Sequence, residues 1–236
     1  MSKSEQTSGA GRLTRLHGEL WVTEAPQRFF GLELGARTTI VRLPDSGLVV
    51  HSPVASSEAL FDEVRALGRV DYLIAPNCFH HLHVGAWVSA FPDASLHLAP
   101  GLDQKRPDLQ GTILVSAGDA PWGEELDQIS LDGLPALNEV VFFHSASRTL
   151  IATDIAFNIG NKSPALTRLA FRMAGTYNTL SPTFLERILV RDKTAFRESL
   201  KRMFEWPFER VIVAHGAVSE IGGREQLERG YAWALR

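Results

Sequence analysis

The chain has 236 residues, 44% of them hydrophobic and 22% charged, with 24 Lys and Arg against 27 Asp and Glu and a formal net charge of −3. Those are ordinary globular values with enough apolar content for a sizeable core, and the slightly acidic balance leaves no electrostatic footprint for nucleic acid or an anionic membrane. A single cysteine excludes an internal disulfide, which fits a reducing cytoplasm, and no apolar run approaches the roughly 18 residues that span a bilayer.

Met1 to Gly11 is rich in Ser, Gly, Lys and Gln and has no apolar core. It reads as a disordered tail, not a secretory signal. Leu20-Trp21-Val22 and Phe29-Phe30-Gly31-Leu32-Glu33-Leu34 are expected to pair as opening strands. Thr38 to Leu43, the turn Pro44-Asp45-Ser46-Gly47, and Leu48 to His51 predict a hairpin, with β-branched arms and a Pro, Asp and Gly reversal. Ser56 and Ser57 can cap a helix whose apolar positions are Leu60, Phe61, Val64 and Leu67. Val70 to Ala75 is a buried strand, followed by the loop Pro76-Asn77-Cys78-Phe79-His80-His81-Leu82-His83-Val84-Gly85 and a short helix ending near Phe91-Pro92.

Ser95 to Ala99 alternates like a short strand, and Gly101 to Gly111 reads as a polar loop. Further strands are expected at Thr112 to Val115 and Leu126 to Leu131. A second hairpin follows, Glu139 to His144 against Thr149 to Asp154. From Ser163 to Trp206 the pattern is helical: one stripe of Leu166, Leu169, Ala170 and Met173, a second of Phe184, Ile188 and Leu189, and a third helix capped by Asp192 with Phe196, Leu200 and Phe204. Arg210 to Ala214 is a last strand ending at His215-Gly216, and Gly222-Gly223 opens a closing helix with Leu227, Tyr231 and Leu235. There is no internal repeat, so one α/β domain over residues 12–236, with a helical insertion at about 163–206, is the expected organisation.

The chemistry-bearing residues cluster at strand ends. The loop after Ala75 holds His80, His81 and His83; Asp154 follows Ala152-Thr153; His215 follows Val213-Ala214. Carboxyl ends of strands are where α/β folds commonly place sites, and neutral imidazole with carboxylate suits zinc, iron or manganese. Each residue also has a structural reading: a turn-forming Asp154, a hydrogen-bonded loop His215, imidazoles that only cap a helix. If the second hairpin forms, His144 lies beside its turn, roughly 16 Å from Asp154, and bonds the Ser145 to Ser147 turn. Glu139 instead lies opposite Asp154, as a ligand or as a strand-edge acid. His51 ends a hairpin strand and can approach the same face; His17 and His97 have no evident partners. Cys78 is a buried filler or a soft ligand.

The order of histidine cluster, Thr-Asp and His-Gly is similar to the metallo-β-lactamase-fold superfamily, a four-layer αββα sandwich. More narrowly, His80-His81-Leu82 with Trp87, Pro100-Gly101-Leu102, Phe142-Phe143-His144, Ser147 to Ile151 and Asp154 resemble an uncharacterised domain-of-unknown-function family on that fold, from about Thr39 to His215. The resemblance implies a His-x-His-x-Asp-His loop, a later His, a bridging Asp and a final His around one or two metals. Two departures stand out. One alignment of the loop puts Cys78, His80, Leu82 and His83 on the motif, with Leu82 in place of its acid. The other makes His80-His81 the Asp-His pair and leaves Pro76 and Cys78 where histidines belong. The later His is missing at Leu137-Asn138-Glu139.

The expectation is therefore a cytoplasmic metal-dependent hydrolase of an ester, thioester, lactone or phosphoester, with one ion (zinc, or iron or manganese) rather than two. His80, His81, His83, Asp154, His215 and Glu139 are its candidate ligands, and Asp154 and His81 its candidate catalytic groups. Residues 163–206 are the expected substrate lid, a small molecule the expected partner, and a non-catalytic binding protein on the same fold the alternative. No Gly-x-Ser-x-Gly elbow, Walker loop or Gly-x-Gly-x-x-Gly turn supports a serine hydrolase or a nucleotide site.

Overall fold

The computed structural model describes residues 11–115 and 120–236. The expected tail, apart from Gly11, lies outside the described residues; the Gly11 amide donates to Glu24 O. β1 (Thr14–His17) and β2 (Leu20–Ala25) open the fold, and β3 (Arg28–Phe29) and β4 (Leu32–Glu33) form a small flap before the hairpin of β5 (Ala36–Arg42) and β6 (Gly47–His51). The expected pairing of Leu20 to Val22 with the Phe29 to Leu34 segment does not form. Leu20, Trp21 and Val22 pair with Val41, Ile40 and Thr39 of β5 instead. Phe30 and Gly31 both adopt positive φ, a reversal so tight that Phe29 pairs with Leu32 in its own segment.

α1 (Glu58–Leu67), capped by the Ser57 hydroxyl on the Leu60 amide, leads into β7 (Arg69–Ala75). α2 (Val84–Ala90), β8 (Ser95–Leu98), a short α3 (Leu102–Lys105) inside the expected polar loop, and β9 (Thr112–Ile113) complete the first sheet, in the order β1-β2-β5-β6-β7-β8-β9. The second sheet joins β10 (Leu126–Ser130), β11 (Val140–His144), β12 (Thr149–Ile151) and β13 (Arg210–Ile212). Between β12 and β13 lie α4 (Ala165–Met173), α5 (Phe184–Leu189) and α6 (Lys193–Glu205); α7 (Gly223–Gly230) and α8 (Ala232–Leu235) end the chain.

Period-two alternation on strands buried on both faces generates the layers. Ile40, Val50, Leu73 and Leu96 point one way, to a core shared with Leu60, Val64 and Trp87 of α1 and α2. Val41, Val49 and Ile74 point the other way, against Val140, Phe142, Ile151 and Ile212 of the second sheet. The opposite face of that sheet, Val141, Phe143, Leu150 and Val211, packs on Phe196, Leu200, Leu227 and Tyr231 of the last helices. The result is helix, sheet, sheet, helix, the expected αββα sandwich.

Two helical stripes depart from expectation. α6 buries Phe196, Leu200 and Phe204 as its spacing predicts. α4, however, buries Thr167 and Phe171, with the Thr167 hydroxyl donating to Glu33 O of the flap, while Leu166, Leu169 and Met173 stay exposed. α5 buries Glu186 and exposes Phe184 and Ile188. Periodicity identifies an apolar face; it does not supply an element to cover it.

Candidate metal centre

The carboxyl ends of β7, β12 and β13 meet at one rim of the sandwich. β12 and β13 run parallel in register, Ile151 opposite Ile212, so the chain beyond each carries Asp154 and His215 to the same level. His80 Nε2 lies 3.3 Å from Asp154 Oδ1 and 3.3 Å from His215 Nε2. His215 Nε2 is 3.0 Å from the same Asp154 oxygen. One ligand atom from each of the three residues lies within 4.8 Å of the other two, and among the described residues these form the one such group.

The hydrogen bonds behind these atoms define what they offer. His215 Nδ1 donates to the Gly35 carbonyl, which can only accept, so in a neutral ring Nε2 presents a lone pair. His80 Nδ1 is 2.8 Å from Ser52 Oγ, a hydroxyl able to accept its proton and leave Nε2 free in the same way. Two imidazole lone pairs and a carboxylate oxygen then face one another, a donor set that a shared cation, or a proton on either ring, would bridge. The outer nitrogen of a metal-bound histidine is characteristically held by just such a backbone or side-chain oxygen. The residues present fit a divalent transition metal.

Beneath the triad lies a buried polar layer that sequence reasoning missed. Asn77 begins the histidine loop, and its side-chain carbonyl accepts the Phe79 and His80 amides, both at 2.7 Å. Its amide donates to Asp154 Oδ2 and Thr153 Oγ1, each at 2.8 Å. An Asn two residues before a turning backbone is an Asx-turn signal, present in the sequence and overlooked in favour of the histidines. The second missed residue is Arg37, buried on β5. Its guanidinium donates to the carbonyls of Val213 and Gly216, clamping the segment that carries His215. The His215 ring stacks on Phe157 with 5.3 Å between centroids.

The other expected residues fall around the triad. Glu139 lies fully buried beneath it, its carboxylate accepting the backbone amides of Thr153 and Asp154, the latter at 2.8 Å. Burial, and then the charge of Asp154, push its carboxyl up to about 7. Burial opposes ionisation of Asp154 as well, but His80 and His215 beside it hold its carboxyl far below the usual range. His81 turns to Arg106, whose Nη1 donates to His81 Nδ1 at 3.0 Å. Burial, with Lys105 and Arg106 adding to it, lowers the His81 imidazole to about 4. His83 occupies the N-cap position of α2 without capping it through its side chain.

His51 is enclosed between the sheets with its ring on Phe142, and burial takes it down to about 3. His144 bonds Ser147 Oγ at 2.6 Å, the structural place expected for it. His97 packs edge-on against Tyr72 and Trp122, and Cys78 is buried with its sulfur 3.7 Å from Pro100 O.

A two-sheet sandwich flanked by helices, with histidine and aspartate gathered at the shared strand ends, defines a metallo-β-lactamase-fold protein. Solved structures agree. A metallo-β-lactamase from Pontibacter korlensis superposes with a TM-score of 0.64 at 13% identity, covering 95% of this chain and 99% of its own. A metallo-β-lactamase from Pseudomonas aeruginosa in its mono-zinc form gives 0.62 at 12%, covering 94% and 93%. The metal-soaked flavodiiron core of Flv1 from Synechocystis sp. PCC6803 gives 0.66 at 13%, covering 96% of this chain and 61% of that one. Within this fold, the chain belongs to the family described as Domain of unknown function (DUF4336), whose family model matches residues 17–179. No curated protein matches it in sequence.

Proposed function

We propose that the chain is a metal-dependent hydrolase with a single ion held by His80, Asp154 and His215, zinc before iron or manganese. The observation that carries this reading is the convergence of His80 Nε2, His215 Nε2 and Asp154 Oδ1, with both histidine Nδ1 atoms already committed to Gly35 O and Ser52 Oγ. Three protein ligands leave a coordination position for water or substrate, as catalytic zinc sites do. When bound, such an ion lowers the pKa of water from about 15.7 towards 7 and polarises a carbonyl oxygen.

The protein supplies orientation. Ser52 and the Gly35 carbonyl fix the two rings, and Asn77 holds the outer oxygen of Asp154 so that Oδ1 faces the imidazoles. Glu139 positions Asp154 through its backbone amide. His81 lines the adjoining cleft. With Nδ1 accepting from Arg106, its proton resides on Nε2, and we assign it the part of hydrogen-bond donor to substrate; an imidazole held at about 4 is a poor proton carrier near neutrality. The lone cysteine fits the cytoplasm as the compartment; no helix among the described residues is long and apolar enough to cross a membrane.

Metal analysis of the purified protein tests the reading. About one zinc, iron or manganese per chain is expected, falling at least tenfold in His80→Ala, His215→Ala and Asp154→Asn while circular dichroism stays unchanged. Absence of stoichiometric metal from the unaltered protein removes the basis of the proposal. The second reading, a protein that binds without turnover, rests on the exposed Leu82 where one alignment expects an acid; it predicts the same metal content and no hydrolysis.

A further inference from the structure

The triad forms the polar end of a cleft of about 480 Å³, within the range of small-molecule sites. Most of what lines the cleft is hydrocarbon. Leu34, Val54, Leu134, Leu137 and Phe157 enclose its walls, and Phe29, Phe30, Phe79, Leu82, Leu185 and Leu189 surround its mouth. All six mouth residues are exposed, Phe30 by 89% and Leu82 by 60%. Large apolar side chains gathered around one opening mark a binding surface. The aromatic wall is built as a unit: the flap's Phe29 meets Phe30 at 4.4 Å and Phe79 of the histidine loop at 6.1 Å between ring centroids.

The charges of the cleft discriminate among reactions. Lys105 is its one cationic side chain, and its ammonium donates to Cys78 O at 2.6 Å and lies 4.8 Å over the Phe79 ring. Arg106 is engaged with Asp108 and with His81, and Arg37 with Glu24 and backbone carbonyls. Asp154 and Glu186 are the carboxyl groups of the lining. Beside the proposed ion, a phosphoryl group, which calls for a fork of guanidinium or ammonium donors, would find a single lysine, already occupied, and the Glu186 carboxyl.

We propose that this cleft takes a carboxylic ester, thioester or lactone bearing a hydrocarbon chain, with the carbonyl at His80, Asp154 and His215 and the chain along the Phe29–Phe30–Phe79 wall and α5. The assignment rests on the hydrolase reading and narrows it, setting phosphoesters aside. In the reaction the oxygen of water bonds to the acyl carbon and the bond from that carbon to the leaving oxygen or sulfur breaks. The leaving atom takes one proton of the water, giving an acid and an alcohol or thiol with no change of oxidation state. A chain of on the order of ten carbons suits a site of this size. Burial that pushes the Glu186 carboxyl up to about 7 keeps that wall partly uncharged near neutrality.

The test pairs turnover with binding. For p-nitrophenyl acetate, hexanoate and decanoate, kcat/KM is expected to rise by about fourfold for each methylene the cleft buries, and bis-p-nitrophenyl phosphate is expected to be a poor substrate. A flat or falling series, or preference for the phosphodiester, overturns the proposal. Binding is read without catalysis in His80→Ala, using N-phenylnaphthylamine fluorescence and its displacement by methyl decanoate. Phe30→Ser and Leu185→Ser, both exposed changes, are expected to weaken displacement at least tenfold. Displacement without ester hydrolysis by the unaltered protein sinks the hydrolase reading and keeps the chain-binding site. Hydrolysis without displacement or chain-length preference does the reverse. Co-sedimentation with phosphatidylcholine vesicles without displacement assigns the mouth to a lipid surface and overturns the proposal.

Discussion

In an unfolded chain the Glu186 carboxyl ionises near 4.5, whereas burial in the cleft wall, only partly offset by the Thr183 hydroxyl, pushes it up to about 7. Between those two values the folded state binds more protons than the unfolded state, so stability falls as pH rises through this window. Glu186→Gln keeps an acceptor for Thr183 and removes the ionisation. Its stability should match that of the unaltered protein below about pH 4 and exceed it by about 3 kcal/mol above pH 7, within reach of denaturant titration across that range. Glu139 titrates in the same window but is common to both proteins and cancels in the difference. A constant gap from pH 5 to 8 would show that Glu186 ionises freely.

Residues of this kind mark the limit of what was legible in the sequence. His80, Asp154 and His215 could be found because each is a strongly polar group shortly after an apolar strand. Asn77 carried a local Asx-turn signal that was passed over, whereas Ser52, Gly35 and Arg37 could not be found, because their roles depend on backbone and ring atoms far along the chain, up to 180 residues away for Gly35 and His215. Local pattern names the residue type a site needs; it does not name the carbonyl that sets a tautomer.

At the scale of elements, the turn after β13 is the most constrained piece of the centre. Gly216 has φ +94, and a Cβ there would meet Asn158 O at 2.1 Å and Asn158 C at 2.4 Å. Gly216→Ala therefore meets both left-handed strain and a backbone clash. We expect it to cost about 2–4 kcal/mol, read as a lowered Tm, and to lose metal, because His215 must shift with the turn. The strands themselves were largely readable, with both hairpins, β7 and β8 falling near their expected bounds. The flap was not; of the three helices expected between residues 163 and 206 all form, α6 with its expected buried face and α4 and α5 without theirs. Phe29 to Leu34 has the composition of a sheet strand, and only the positive φ at Phe30 and Gly31 turns it back on itself. The α4 stripe has the spacing of a core helix, yet Met173 is 82% exposed.

For the molecule as a whole, a metal bound only by the folded chain is a stabilising ligand. At a hundredfold excess over Kd it contributes about 2.7 kcal/mol, which for a chain of this size raises Tm by about 5–10 °C. Dialysis against a chelator should lower the Tm of the unaltered protein by that amount and leave His215→Ala unmoved; equal shifts in both would place the bound ion elsewhere. The sandwich was legible through the resemblance carried by the order of histidine cluster, Thr-Asp and His-Gly, and the alternation of its strands between two cores is what the structure adds. The breadth of its cleft was not, since that follows from the flap leaning on the histidine loop, a contact between Phe29 and Phe79.

The bond from His215 to the Gly35 carbonyl, 180 residues apart in sequence, sets an order of events during synthesis. The first sheet draws its strands from residues 14–113 and can pair while later residues are still being added. Its rim then offers His80 alone. Asp154 arrives with the second sheet, and His215 only when β13 has docked beside β12 and Arg37 has closed on Val213 and Gly216. Of the three converging groups a partly made chain thus has only His80, where the finished one has His80, Asp154 and His215 together. On the proposed metal reading, tight capture would wait until the three groups stand together, and metal uptake would mark completed folding.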